Sequence, residues 1–343
     1  FGSASSSRVR HFVKGLGQNG IQTHVLTTRR IPRRDCDVHG DDLLSYEGTT
    51  YETTNVFETG ERKTVIRRAI DLLCAIRSSW RRIEELVEAG RINAVILYSR
   101  SFLQCHPIVR ICRKHRVPVF VDAVEWYLPW SIPYFMRAVD FYLGMRISHR
   151  MCDGAIVISS FLETRYRAWG LPTLLVPSLI DSGKAYKPNS PCDVATRDVL
   201  NLVYVGQFKP DEAVGDLLEG VRLARKRGCP VELHVVGNNG QTGNGRRVQK
   251  QVSADVHLDS HVHFRGWLSE EEYNRTLATA DALVLLRKTT TRARAAFPTR
   301  LPELLATGKP VITNDVPDVP GYLCDREHAH VVAVGRPDLL ADR

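Results

Sequence analysis

Short, nearly continuous apolar runs recur along the chain, separated by stretches with helical spacing. In the first half they are THVLTT (23–28), AVILYS (94–99), PVFVDA (118–123), GAIVIS (154–159) and PTLLVP (172–177). In the second half they are NLVYVG (201–206), VELHVVG (231–237), VHFRG (262–266), ALVLL (282–286), PVITN (310–314) and a run at 329–334. Runs rich in β-branched residues suit strands covered on both faces, and helices between them join such strands in parallel. The pattern predicts an α/β protein with two doubly wound, Rossmann-like parallel-sheet domains. The polar, aperiodic stretch DSGKAYKPNSPCDVATRD (181–198) reads as a linker, which gives an N-terminal domain over 1–180 and a C-terminal domain over 199–343. Ligands in open α/β sheets bind at the carboxyl ends of strands, so the expected site is a cleft that the two domains face. The opening FGSASSSRVRHFVKGLGQNG reads as a βα loop and a helix, so a strand is expected before Phe1.

Composition narrows the class. With 43% hydrophobic and 25% charged residues over 343 positions, the chain reads as soluble and globular. No apolar run is long enough to span a bilayer, and no signal-peptide pattern is visible. The eight cysteines (36, 74, 105, 112, 152, 192, 229, 324) form no CxxC pair, which favours reduced, buried thiols in a cytoplasmic protein over a disulfide framework or a zinc site.

The charge is uneven. Residues 1–180 carry 25 Lys+Arg against 17 Asp+Glu, a net +8, and the rest carry 22 against 21, a net +1. A basic half suggests an anionic partner or a solvated Arg-rich surface. The amphipathic stretch VIRRAIDLLCAIRSSWRRIEEL (65–86), with Arg67, Arg68, Arg77, Arg81 and Arg82, could lie on anionic lipid together with WYLPWSIPYFM (126–136). The alternative is a core-facing helix with a solvated basic side. Nucleic acid is not expected, because no recognition motif accompanies the charge. In VHLDSHVH, His257, His261 and His263 invite a zinc reading, but without a Cys or a fourth ligand nearby a structural role is expected. GNNGQTGNG (237–245) reads as a plain Gly/Asn-rich loop.

Three stretches together carry a family resemblance: AFPTRLPELLATGKPVITND (296–315), NLVYVGQFKPDEAVGDLLEGV (201–221) and GSASSSRVRHFVKGL (2–16). They resemble the GT-B glycosyltransferases of glycosyltransferase family 4, retaining enzymes that use nucleotide sugars, in a branch with an FPT signature. The resemblance runs from Phe1 to about Gly321 and implies further C-terminal helices after Arg343. It implies a short helix from near Thr299, with Pro302 allowed in its first turn and an N-terminus suited to a diphosphate. Glu303 on that helix would hold the nucleotide ribose, since a carboxylate accepts two hydroxyls at once. The other donor positions implied are Gly206, Gln207, Phe297, Pro298, Thr299 and Leu301.

The chain departs from the family pattern in two places. The earlier acid of the family's pair, eight positions before Glu303, is Ala295 here. The family's Arg after the strand-ending Gly, and its Lys a few residues on, align with Gln207 and Glu212. A phosphate leaving group needs local positive charge. Lys209, Arg287, Lys288, Arg292, Arg294 and Arg300 stand close by in sequence, and Arg300, where this branch commonly has Lys, is expected to supply it, with Lys209 opposite.

On the acceptor side the candidates are Gly2, Ser3 and Ser5 in the Gly/Ser loop, and Asp122 and Glu125 at a strand end. His106 and His115 read as surface positions, and no catalytic His is assigned. The resemblance implies a hexosyltransferase that passes sugar to a glycan, lipid-linked or other acceptor in cell-envelope polysaccharide synthesis. It would need no metal or other cofactor and would act in the cytoplasm or peripherally at the inner membrane face. A non-catalytic nucleotide-sugar-binding relative and a nucleotide-sugar epimerase of the same architecture are the competing readings.

Overall fold

The structure is a computed structural model that describes residues 4–28, 37–38, 43–46, 49–54, 65–127, 135–180, 198–237 and 243–343. The chain forms two compact units, Phe1–Pro177 and Ser178–Arg343. All of the predicted 181–198 linker except Asp198 lies outside the described residues.

The first unit opens with helix α1 (Ala4–Gln18) and strand β1 (His24–Thr27), then β2 (Asp37–Val38), β3 (Leu43–Tyr46) and β4 (Thr49–Thr53). Helix α2 (Val65–Glu88) leads to β5 (Val95–Leu97), α3 (Phe102–Lys114), β6 (Val119–Ala123) and α4 (Phe135–Leu143). The unit ends with β7 (Gly154–Val157), α5 (Ser160–Arg167) and β8 (Thr173–Leu175). Strands β5-β6-β7-β8 form a parallel sheet, as their apolar runs predict. The strand predicted at 23–28 is β1, which pairs in parallel with β4 in a second sheet of order β1-β4-β3-β2. The pairings β2–β3 and β3–β4 are antiparallel. The apolar-run pattern does not mark β2 to β4, because these strands are two to five residues long with no continuous β-branched run, whereas that pattern selects strands buried on both faces.

Helix α2 is the amphipathic helix expected. Ile76, Ser79, Ile83 and Leu86 recur at helical spacing and are buried, while Arg77 and Arg81 are exposed. Arg82 donates to Glu52 on β4 at 2.7 Å and to Glu85 at 3.1 Å. Ser101 and Ser159 cap α3 and α5 by accepting the N–H of Gln104 and of Leu162.

The second unit runs β9 (Leu200–Val205), α6 (Val214–Lys226), β10 (Val231–Val236), α7 (Gly243–Ser253), β11 (Val262–Gly266) and α8 (Glu270–Thr279). It continues with β12 (Ala282–Leu285), α9 (Thr291–Ala295), α10 (Leu301–Leu305), β13 (Val311–Asn314), β14 (His330–Val332) and α11 (Pro337–Asp342). All six strands lie parallel in the order β11-β10-β9-β12-β13-β14. Chain order reverses beside β9, which is where open α/β sheets make room for ligands. Leu217, Leu218 and Val221 of α6 pack in one cluster with Leu233 of β10 and Val284 of β12, each burial contributing about 1.5–3 kcal/mol. A Ser269–Glu272 capping box starts α8.

Cys105, Cys112 and Cys152 are buried, and burial pushes the Cys105 thiol up to about 12. Cys74, Cys229 and Cys324 are exposed, against the expectation of buried thiols, while Cys36 and Cys192 lie outside the described residues. No helix among the described residues is long and apolar enough to cross a membrane.

Candidate functional site

Of the predicted donor residues, Gly206 and Gln207 follow β9 directly, and Phe297 to Glu303 lie on the segment between β12 and β13. Strand β9 stops at Gly206, where the chain is crowded: a Cβ there would lie 2.1 Å from the Tyr204 hydroxyl. Gly237, which follows β10, has φ +126°, and a Cβ on it would lie 2.0 Å from the Gly206 carbonyl. Only glycine fits both conditions. The loop after β9 is stitched to the segment after β12. Lys288 N–H donates to the Asp211 carbonyl at 2.9 Å, Ala213 N–H donates to the Leu286 carbonyl at 3.1 Å, and Glu212 bridges Arg287 in antiparallel fashion. Within this loop Phe208 takes φ 55°, a strained conformation for a bulky residue. Its buried ring, stacked on Tyr204 with centroids 6.1 Å apart, holds it there.

Glu212 organises the loop from inside. Its Oε2 accepts three hydrogen bonds: from the Tyr204 hydroxyl at 2.8 Å, from Gln207 N–H at 3.2 Å and from Lys209 N–H at 3.0 Å. A fixed carboxylate thus takes two backbone donors of the kind that suit a bound phosphate. The sequence gives no sign of this, since Glu212 reads there only as the replacement of a lysine. Of the candidate cations, Arg287 is held by Asp211 at 2.6 Å, and both side chains are largely buried, so its charge is already matched. Arg292, Arg294 and Lys288 are exposed, and Arg292 and Arg294 have partners within the protein. The Lys209 side chain is exposed and Gln207 is half-buried.

The other side of the site is the turn from α9 into α10. Thr290 caps α9 by accepting Ala293 N–H at 3.1 Å. Ala295, the position of the family's first acid, is 0% exposed, so a carboxylate there would be packed into the interior. Phe297, Pro298 and Leu301 are buried, with Phe297 edge-on to Tyr322 at 5.5 Å. These three anchor the turn, whereas Thr299 stands exposed at its tip. The helix expected from near Thr299 is α10, which begins two residues on at Leu301, with Arg300 as its N-cap residue and Pro302 in its first turn.

Arg300 is half-buried, and the Glu303 side chain is exposed. Among the described residues, neither side chain has a hydrogen-bond or ion-pair partner, although the Arg300 carbonyl accepts Leu304 N–H at 2.9 Å. Even so, protein atoms crowd the Glu303 carboxyl and raise its pKa above the usual carboxylate range, with the positive charge of Arg300 pulling the other way. Arg300 also acts electrostatically on Tyr204, the residue that Glu212 engages. Arg300 thus lies within electrostatic reach of Tyr204 on β9 and of Glu303 on its own helix. The Arg300 and Glu303 side chains are a cation and a carboxylate without side-chain partners among the described residues, while the backbone donors of Gln207 and Lys209 are already bound by Glu212.

The acceptor-side candidates fall out differently. Gly2 and Ser3 lie outside the described residues, and Ser5 is placed only as a backbone position in the first turn of α1. Asp122 is buried and bound by Arg8, whose Nε and Nη2 both reach it at 2.9 Å, while Arg8 Nη1 donates to the Pro177 carbonyl at 2.9 Å. Burial raises the Asp122 pKa, and Arg8 opposes the rise. The pair ties α1 to β6, and Arg8 is the partner that the sequence reading does not single out. Glu125 is half-buried and held by Arg100 and by the Tyr127 hydroxyl at 2.9 Å. His261 and His263 both bind Glu232, at 2.7 and 2.6 Å, which gives these histidines a structural role on the sheet. The one group of metal-ligand types that converges among the described residues, Cys324, Glu327 and His328, is exposed.

Comparison with known proteins places these observations. The family described as glycosyl transferases group 1 matches residues 200–343. No curated protein matches the chain. A glycosyltransferase from Rickettsia africae superposes with a TM-score of 0.66 at 11% identity, over 98% of this chain and 82% of that one. Sucrose-phosphate synthase from Thermosynechococcus elongatus gives 0.62 at 17% identity, over 97% and 81%. HepE from Anabaena, solved in complex with UDP and glucose, gives 0.56 at 14% identity, over 76% and 69%. The chain has the fold of the GT-B glycosyltransferases, and its second unit, from residue 200 to residue 343, matches their group 1 family.

Proposed function

We propose that the protein is a retaining hexosyltransferase that moves a sugar from a nucleotide-sugar donor to a glycan or lipid-linked acceptor in cell-envelope polysaccharide synthesis. The observation that carries this reading is the pair Arg300 and Glu303 at the start of α10, their side chains without partners among the described residues, within the stretch 200–343 that matches the group 1 family. Glu303 accepts the two ribose hydroxyls, and Arg300 faces the diphosphate. As the bond from the sugar C1 to the phosphate oxygen breaks, negative charge grows on the leaving nucleoside diphosphate, and Arg300 stabilises it more than it stabilised the bound donor. The acceptor hydroxyl forms the new bond to C1 on the same face and gives its proton to the departing phosphate or to solvent. Side-chain charge carries the phosphate, and no metal is required. The protein works on the cytoplasmic side, held at the membrane surface by its basic first unit. Because HepE is complexed with UDP, uridine donors are the first to test.

A second reading has its own observation. Glu212 brings negative charge to the loop that would face the diphosphate, and Gln207 adds no cation to offset it. A protein that binds nucleotide sugars without transferring them would have this constellation. Incubating the protein with labelled nucleotide sugars, with and without lipid and glycan extracts, separates the two readings. Acceptor-dependent release of nucleoside diphosphate, with a product anomer matching the donor, is the expected result. Tight donor binding without release under any acceptor favours the second reading, and no binding of any nucleotide overturns both.

A further inference from the structure

The segment from α4 to Met151 carries an outer face that donor chemistry does not use. Helix α4 runs directly into a π-helical turn, Gly144–Ser148, and a 3-10 turn, His149–Met151. Its inner side is buried through Ala138, Met145, Ser148 and His149. A Cβ on Gly144 would lie 2.0 Å from the Arg100 carbonyl, so the turn presses against the chain entering α3. The outer face opens with Phe135 and Met136, 80% and 79% exposed, and continues through Val139 and Tyr142. Positions 135, 139 and 142 share one side of the helix by spacing. Leu103 adds to the exposed apolar surface, and its N–H donates to Asp140 of α4 at 2.9 Å.

Past Tyr142 the face becomes cationic, and its arginines lie on aromatic rings. The Arg146 guanidinium carbon is 5.3 Å from the rings of both Tyr142 and Trp126. Arg150 lies 5.7 Å from Trp169, and Arg165 lies 4.8 Å from Trp126. Arg137 sits over Phe141 at 5.0 Å. A guanidinium stacked on a ring keeps its N–H edge outward, and its side chain is ordered before any ligand arrives. The nearby acids are engaged: Asp140 by Leu103 N–H, Glu125 by Arg100 and Glu163 by Arg167. Among the described residues Arg137, Arg146 and Arg150 have no carboxylate partner.

The geometry points to α4 and the two turns after it as a docking surface for an anionic lipid bilayer. Phe135 and Met136 enter the acyl region, Tyr142 and Trp169 lie at headgroup depth, and Arg146 and Arg150 meet lipid phosphates. Exposed apolar side chains, then amphipathic rings, then stacked cations follow the order in which a membrane boundary changes from hydrocarbon to phosphate. The unbalanced +8 of residues 1–180 supplies the long-range attraction. This surface sharpens the membrane part of the proposed function by naming its residues, and it stands whether or not the protein transfers sugar.

The test is sedimentation of the whole protein with phosphatidylglycerol–phosphatidylcholine vesicles and with pure phosphatidylcholine vesicles, at low and at high salt. Wild type should partition onto the anionic vesicles only, and salt should weaken the binding. The double changes Phe135→Ser with Met136→Ser, and Arg146→Gln with Arg150→Gln, should each weaken partition by roughly tenfold or more. The pair Arg77→Glu and Arg81→Glu on α2 should change it far less. UDP titration of the same proteins should be unaffected, so loss of nucleotide binding and loss of membrane binding are read separately. Circular dichroism checks folding, and if the apolar pair unfolds the protein, the arginine pair decides. Unchanged partition in a folded variant overturns the proposal, as does equal binding to neutral vesicles. Loss only with the α2 changes moves the surface to α2 and also overturns it. A concentration-dependent dimer abolished by the apolar pair, with no vesicle binding, would show that a second copy covers this face instead.

Discussion

At the residue scale, the proposed reaction divides the work between Glu303 and Arg300, which should respond differently to change. Glu303 must be ionised to accept two hydroxyls, and its raised pKa means that it protonates at a higher pH than an ordinary Glu. Donor affinity should therefore be complete well above that pKa and fade as pH falls through it, earlier than for an unperturbed carboxylate, which titration calorimetry over a pH series would show. The same shift has a stability consequence of known sign. The folded state holds the proton more tightly than the unfolded chain, so stability falls as pH rises from the unfolded pKa through the folded one. Glu303→Gln removes that penalty, and its Tm without ligand near pH 7 should equal or exceed the wild-type value. Arg300→Met should lower turnover by on the order of 10²-fold and donor affinity much less, because its charge matters most in the transition state. Lys209→Met, at an exposed position, should have the smaller effect. If kinetics show the reverse order, the two roles are exchanged.

At the element scale, the β9 loop trades stability against ligand charge. Glu212 accepts from the Tyr204 hydroxyl and from two loop N–H groups, so Glu212→Gln should cost roughly 1–3 kcal/mol of stability. The same change removes negative charge next to the proposed diphosphate, so affinity for a nucleoside diphosphate should rise while Tm falls. A fall in both would mean that the carboxylate shapes the binding loop more than it repels the ligand. Gly237→Ala should cost roughly 1–3 kcal/mol, since its positive φ and the 2.0 Å approach to the Gly206 carbonyl leave no room for a methyl group. The apolar runs made the strands of the second unit legible, most plainly β12 and β13, which are buried at every position. Strands β2 to β4 escaped because they are short and carry no continuous apolar run, and β2–β3 and β3–β4 pair antiparallel. The start of α10 was legible to within two residues, Thr299 against Leu301, which is the spread that helix ends ordinarily show. The role of Arg8 was hidden because its partner Asp122 is brought near only by folding, whereas Glu212 finds its partners close in sequence and meets them through the turn at Phe208.

At the scale of the molecule, the GT-B fold joins a basic first unit to a nearly neutral second one, and the proposed tasks divide along that line. The proposed membrane-facing surface is on α4 of the first unit, and the proposed donor residues follow β9 and precede β13 in the second. Changes at Phe135 or Arg146 and changes at Glu303 or Arg300 should therefore act independently. A ligand that binds only the folded state stabilises it, by about 2.7 kcal/mol at a concentration of 100 times Kd, so a nucleoside diphosphate should raise Tm in wild type. The central claim is that Glu303 anchors a donor nucleotide in the second unit. It is tested most directly by calorimetric titration of UDP and other nucleoside diphosphates into wild type and Glu303→Gln. Saturable binding by wild type, weakened by roughly 1–3 kcal/mol in the variant, is the predicted result. Equal affinity in a folded Glu303→Gln protein, or no binding of any nucleoside diphosphate to wild type, would contradict it.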